Sequence, residues 1–126
     1  MKLTNQELLN SIPTLQELSK EQLPIKISYT ISKNIKIIEE ELKIYEEERQ
    51  KLIKKHAELD KEGKPKVNDN GNYIIKQENQ LDFNKEVLEL LNIETDVNIC
   101  KVDLNALDGL KISPLELTSI YFLIEE

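Results

Sequence analysis

Arg49 and His56 are the residues whose types and spacing most clearly allow chemistry. They are the only arginine and the only histidine of the chain, and they lie two turns apart on one face of a predicted helix, with Tyr45 on the same face. Burying either charge without a partner costs on the order of several kcal/mol. A partner must therefore lie beside each of them if this face is covered.

Three interpretations account for these residues. In the first, a glutamate on a partner helix pairs with them, and Arg49 fixes the register of the pairing at some cost in stability. In the second, Tyr45, Arg49 and His56 from two or more chains form a pocket for an anionic ligand or a protein partner. In the third, the helix is exposed to solvent at this point and forms no coiled coil there.

These residues belong to a heptad pattern, in which apolar positions alternate at spacings of four and three. The pattern runs through Ile31, Ile35, Ile38, Leu42, Tyr45, Arg49, Leu52, His56 and Leu59. It predicts a long helix that begins around Pro24 and ends at Gly63 and Pro65. The isoleucine-rich first half is predicted to form the wall of a core, and the charged second half an exposed arm.

The N-terminal segment carries a helix signal and a helix breaker. Thr4 and Glu7 have the spacing of a capping box, in which each side chain binds the backbone of the other. Pro13 is expected to interrupt the helix that follows, because it lacks a backbone N–H and restricts the residue before it. We therefore predict two short helices before the long one.

The C-terminal segment carries the best local helix signal of the chain. Ser113, Pro114 and Glu116 combine an N-cap, a first-turn proline and a capping-box glutamate. They predict a terminal helix that continues through Ile124. Ahead of it, the β-branched and apolar residues of 95–104 predict a single strand with a bulge.

Between the long helix and this strand, Asn70 and Gly71 supply the positive φ angles of a tight β-hairpin turn. The apolar pattern of 79–91 predicts a returning helix. We recognise no internal repeat. The predicted fold class is α+β, mainly α: a long antiparallel helical hairpin with a β-hairpin at its tip, plus a short strand and a capped C-terminal helix. One domain is expected, with 1–45 and 79–126 as globular core and 46–78 as arm and tip.

Composition excludes several classes of function. A net charge of -7 disfavours direct binding to nucleic acid. One cysteine, Cys100, and one histidine exclude the usual zinc sites, and three glycines cannot build a phosphate-binding loop. No signal peptide and no membrane span are expected. We predict neither a catalytic residue nor a metal or cofactor.

A resemblance to a known family spans nearly the whole chain and rests on residues 1–5, 23–26, the glutamate-rich helix, 63–67, 70–73, 112–117 and 124–126. In these residues the sequence resembles a family of small phage and prophage proteins of low-GC Gram-positive bacteria that has no established activity. It implies a phage setting, with the host bacterial cytoplasm as the expected location and the virion as an alternative. In element order the chain is also similar in shape to prefoldin-type chaperone subunits.

These observations predict a non-enzymatic interaction protein that self-associates through its long helix and binds a host or phage protein, as an assembly or accessory virion factor. Two alternatives stand beside it. One is an anti-defence inhibitor, which binds a host immune protein or sequesters a small anionic signal around Arg49. The other is a chaperone-like helical hairpin.

Overall fold

The computed structural model describes all 126 residues and confirms the predicted fold class, α+β and mainly α. The helices are α1 (Asn5–Leu18), α2 (Ile25–His56), α3 (Gln80–Leu91) and α4 (Pro114–Ser119), and the strands are β1 (Lys2–Thr4), β2 (Glu94–Asp96), β3 (Val102–Asp103) and β4 (Ile124–Glu125). None of the helices combines the length and the apolar character that crossing a membrane requires.

Contacts between residues divide the chain into two units. The first, here called the core unit, comprises Met1–Leu42 and Glu94–Glu126, and the second, the hairpin unit, comprises Lys43–Ile93. The boundary falls within α2. The division into a core and an arm at 46–78 stays a prediction, and the returning helix α3 lies in the hairpin unit.

The core unit is built around apolar side chains from most of its elements. β1 pairs with β2 in antiparallel orientation, and β3 pairs with β4 in parallel orientation. The buried cluster consists of Leu3, Leu8, Leu15, Leu18, Ile31, Ile38, Val97, Val102, Leu107, Ile120, Leu123 and Ile124. The first half of α2 thus forms a wall of this core through Ile31 and Ile38, as its isoleucine content predicts.

A buried asparagine connects α2 to the segment predicted as one strand. The Asn34 side chain is fully buried; its Nδ2 donates to the carbonyl of Cys100 at 2.8 Å, and its Oδ1 accepts from the Cys100 N–H at 2.9 Å. The Asn34 side chain thus pairs with the Cys100 backbone as a neighbouring strand would. The chain leaves one sheet at the end of β2 and enters the other at β3, so the prediction of a single strand over 95–104 is wrong.

The N-terminal segment forms one helix and one unpredicted strand. Thr4 caps α1 with the predicted capping box, in which its Oγ1 accepts from the Glu7 N–H at 3.1 Å. The predicted break at Pro13 is wrong, since α1 continues through it to Leu18. Leu8 and Leu15 on either side of the proline are fully buried, and this packing outweighs the lost backbone hydrogen bond.

Two predicted helix ends are also wrong. α2 starts after Pro24, as predicted, and the Pro24 carbonyl accepts from the N–H groups of Ile27 and Ser28. It ends at His56 and not at Gly63 and Pro65, because the backbone beyond His56 pairs with other segments. The Ser113 cap, Pro114 and Glu116 begin α4 as predicted, but α4 stops at Ser119. Ile124 cannot be helical because its backbone pairs with β3.

Candidate interaction site

His56, the last residue of α2, is paired within the chain. Its side chain is buried, and its Nε2 lies 3.2 Å from Oε1 of Glu86 on α3. Because an ionised carboxylate can only accept, Nε2 carries the hydrogen in this contact. For His56, the glutamate partner of the first interpretation thus comes from the returning helix of the same chain.

Glu86 also binds the lysine beside the histidine. Lys55 Nζ lies 3.1 Å from Oε1 and 3.4 Å from Oε2 of Glu86. The hydrogen bond from Lys55, followed by that from His56, lowers the pKa of Glu86 despite the opposing effect of desolvation. The end of α2 is therefore held to α3 by one carboxylate that serves two donors.

The other nitrogen of His56 has no partner. Nδ1 is buried and makes no hydrogen bond, while the ring packs edge-on against Phe83 with the ring centroids 5.8 Å apart. An unsatisfied buried polar atom costs about 1–3 kcal/mol.

Arg49 and Tyr45 make separate contacts. Arg49 Nη1 pairs with Glu46 Oε1 at 3.2 Å within α2, and its side chain is 37% exposed. Tyr45 is buried, and this burial raises the pKa of its hydroxyl, with a smaller opposite effect from Arg49. Arg49 and His56 thus have different partners, and the pocket shared by Tyr45, Arg49 and His56 stays a prediction.

Beyond α2 the chain forms a closed arrangement of three short segments, 57–59, 65–67 and 73–75, here called the three-strand ring. Antiparallel bridges join Leu59 to Pro65, Val67 to Tyr73 and Ala57 to Ile75, so each segment pairs with both others. The predicted hairpin around Asn70 and Gly71 is one side of this ring.

The middle residues of the three segments close the hydrogen-bond cycle. The N–H of Glu58 donates to the carbonyl of Ile74 at 2.8 Å, that of Lys66 to Glu58 at 2.8 Å, and that of Ile74 to Lys66 at 3.0 Å. Every N–H and carbonyl of these middle residues is paired inside the ring. The ring therefore offers no free backbone there for another strand.

The three segments of the ring recur every eight residues, although the sequence led us to predict no internal repeat. In the two loops of the ring, the side chains of Asp60 and Asn68 each accept from two backbone N–H groups, at 2.8–2.9 Å and 2.9–3.0 Å. The N–H of Gly63 donates to the backbone carbonyl of Asp60, and the same bond recurs eight residues further on from Gly71 to Asn68. Another eight residues on, the N–H of Asn79 donates to the carbonyl of Lys76. The shared spacing of Asp60–Gly63 and Asn68–Gly71 was the available signal.

The two loops differ from the predicted tight turn. Gly71 has a φ of 81°, but Asn70 has no positive φ, so the two-residue turn predicted from Asn70 and Gly71 is wrong. Instead, a turn closed by the Asn68 side chain ends in a left-handed glycine, the pattern of three-residue hairpin loops. The third repeat has Asn79 in place of glycine, with a φ of -103°, and there the chain enters α3.

The first and third residues of each ring segment are apolar, and several are exposed. Alternation along a strand and direct pairing across the bridges place these residues on one side of the ring. Ala57 is buried, whereas Leu59, Val67 and Tyr73 are 45%, 55% and 38% exposed. We call these three residues the ring patch.

Comparison of the chain with protein-family models, with curated proteins and with solved structures found no match. No group of three or more His, Cys, Asp and Glu side chains is placed to hold a metal ion. The ring patch is a candidate interaction site of the hairpin unit, because the bridges bring its exposed apolar residues to one side of the ring.

Proposed function

We propose that this chain is a non-enzymatic phage protein that acts through protein–protein contacts and self-associates through the ring patch. The observation that carries the proposal is the exposure of Leu59, Val67 and Tyr73 on one side of a ring whose backbone is internally paired. Association through this patch would use side chains, because the middle residues of the ring have no backbone group left to pair.

Charge supports a second copy as the partner. The hairpin unit contains ten Lys and Arg residues and eleven Asp and Glu residues, a net charge of -1. Two such units can approach each other with little net repulsion, and contact removes apolar surface from water. An assembly or accessory role in a phage fits a protein that is used in several copies.

The heptad face of α2 is a weaker candidate for self-association. Ile31 and Ile38 are in the core, and Tyr45 and His56 are buried in the structure of the single chain. A partner helix would have to displace these intramolecular contacts. The proposal therefore keeps the predicted self-association but moves it from the helical seam to the ring.

The mass of the protein in solution tests this proposal. Sedimentation velocity at increasing micromolar concentrations should show an oligomer for the unaltered chain and a shift toward monomer for Val67→Ser. Leu88→Ser is the matched control, because Leu88 is exposed to a similar degree, 60%, on α3 of the same unit. A monomer throughout the concentration range, or equal effects of the two substitutions, would refute self-association through the ring patch.

A further inference from the structure

A groove between α1 and α4 lies in the core unit. It has a volume of about 560 Å³ and is lined by Glu7, Asn10, Leu115, Thr118, Ser119 and Phe122. Leu115 is 81% exposed, whereas Leu117, two residues further along α4, packs against the buried cluster. The groove thus presents an apolar side chain to solvent beside a carboxylate and polar groups.

The surroundings of the groove are acidic. The Thr14 and Ser119 hydroxyls meet at 2.8 Å between α1 and α4. Further along, a smaller hollow is lined by three glutamates and one lysine, Glu17, Glu21, Glu116 and Lys111, together with apolar residues. Of the acidic residues lining the two hollows, Glu17 alone forms an ion pair, with exposed Lys20. Glu7 and Glu116 are the capping-box glutamates at the starts of α1 and α4.

The charge of the whole unit indicates which class of partner fits. The core unit contains seven lysines and thirteen acidic residues, a net charge of -6, which accounts for most of the -7 of the chain. A second copy would bring equal negative charge to the groove, and a nucleic acid would bring phosphates. A basic segment complements it, and an apolar side chain can pack on Leu115 and Phe122.

We propose that the groove between α1 and α4 docks a basic amphipathic segment of another protein, with its lysines or arginines beside the carboxylates and an apolar residue on Leu115. This inference rests on the proposed function only in treating the chain as an interaction protein. It uses a different unit and a different partner from the ring patch.

Fluorescence anisotropy with a labelled amphipathic Lys/Leu peptide tests this proposal. The peptide should bind the full chain, lose affinity as salt rises, and bind Leu115→Ser about tenfold more weakly, as expected when an anchor residue is lost. Ile25→Ser is the matched control, because Ile25 is 84% exposed in the same unit but lies outside the groove, and it should bind normally.

Each of these binding results would overturn the groove proposal: no binding at low salt, equal weakening by Leu115→Ser and Ile25→Ser, or equal binding of a peptide with glutamates in place of lysines. A loss of oligomer mass in Leu115→Ser would show that a second copy occupies the groove, and would also overturn it. Val67→Ser should bind the peptide normally, so failure of self-association through the ring patch can be told apart from failure of the groove.

Discussion

The core unit and the hairpin unit of this chain are stabilised by different means. Twelve apolar residues form the buried cluster of the core unit, whereas Tyr45, Ile53, Ala57 and Leu90 are the buried apolar residues of the hairpin unit. The hairpin unit relies in addition on the hydrogen-bond cycle of the ring and on the carboxylate of Glu86. Burial of apolar area therefore dominates one unit, and paired polar groups contribute a larger share to the other.

The two units should therefore be destabilised by different kinds of substitution. In a unit with a large apolar core, a polar group left unpaired inside is expensive, because no water can replace its partner. In a unit built on short loops, the conformation of single backbone positions decides whether the segments can meet. Substitutions of Asn34, Gly71 and Glu86 test these expectations, in decreasing order of effect.

Asn34→Ala should lower the free energy of unfolding by about 2–4 kcal/mol, because the N–H and the carbonyl of Cys100 would each lose a hydrogen-bond partner at a partly buried position. Urea denaturation followed by circular dichroism measures the change. Asn98→Ala, at an exposed position of the same segment, should change stability by less than about 0.5 kcal/mol. Equal effects of the two substitutions would show that the Asn34 clamp does not hold the core unit.

Gly71→Ala should destabilise the hairpin unit by about 1–2 kcal/mol. Its φ of 81° is strained for any residue with a Cβ, while a Cβ at this place would meet no atom within 4 Å, so the cost is conformational. Hydrogen exchange of the Asn68 and Ile74 amides should become faster. Gly63→Ala should act alike, because the two loops have the same hydrogen bonds; a clear difference between them would contradict the equivalence of the repeats.

Glu86→Gln should change the pH dependence of stability by a small amount. The pKa of Glu86 is lowered in the folded state, so its contribution is fully present above its unfolded pKa of about 4.3 and is lost as pH falls through the folded value. Urea denaturation at about pH 6 and about pH 3 should therefore show a smaller loss of stability for Glu86→Gln than for the unaltered chain.

Glu89→Gln, an exposed glutamate on the same helix, is the control for Glu86→Gln. It should follow the unaltered chain at both pH values. If Glu86→Gln also follows the unaltered chain, the contact of Glu86 with Lys55 and His56 contributes nothing to the stability of the hairpin unit.

Local signals in the sequence predicted much of the fold correctly. The capping boxes at Thr4 and Ser113 depend on neighbouring residues alone, and the returning helix has its own apolar period. The errors at Pro13, at 95–104 and at Ile124 share a cause. In each case contacts with residues distant in sequence, such as Asn34 with Cys100 or Ile124 with Val102, override the local preference.

The candidate sites were less predictable than the fold. The sequence shows that His56 needs a partner but not that Glu86 supplies it, because the register of α3 against α2 depends on the ring that joins them. The ring itself was hidden because its segments are short and each holds only two or three apolar residues. The placement of Leu59, Val67 and Tyr73 on one side of the ring follows from the closed pairing, which a hairpin prediction alone does not contain.

The closed ring also limits how the hairpin unit can change when its sequence is duplicated. Arrays of structural repeats lengthen because each copy leaves a face open for the next. Here the third copy returns the hydrogen bonds to the first, so a fourth copy of eight residues would find the middle residues of all three segments already paired. Natural length variation is therefore expected within the loops at 60–64 and 68–72, and not in the number of segments.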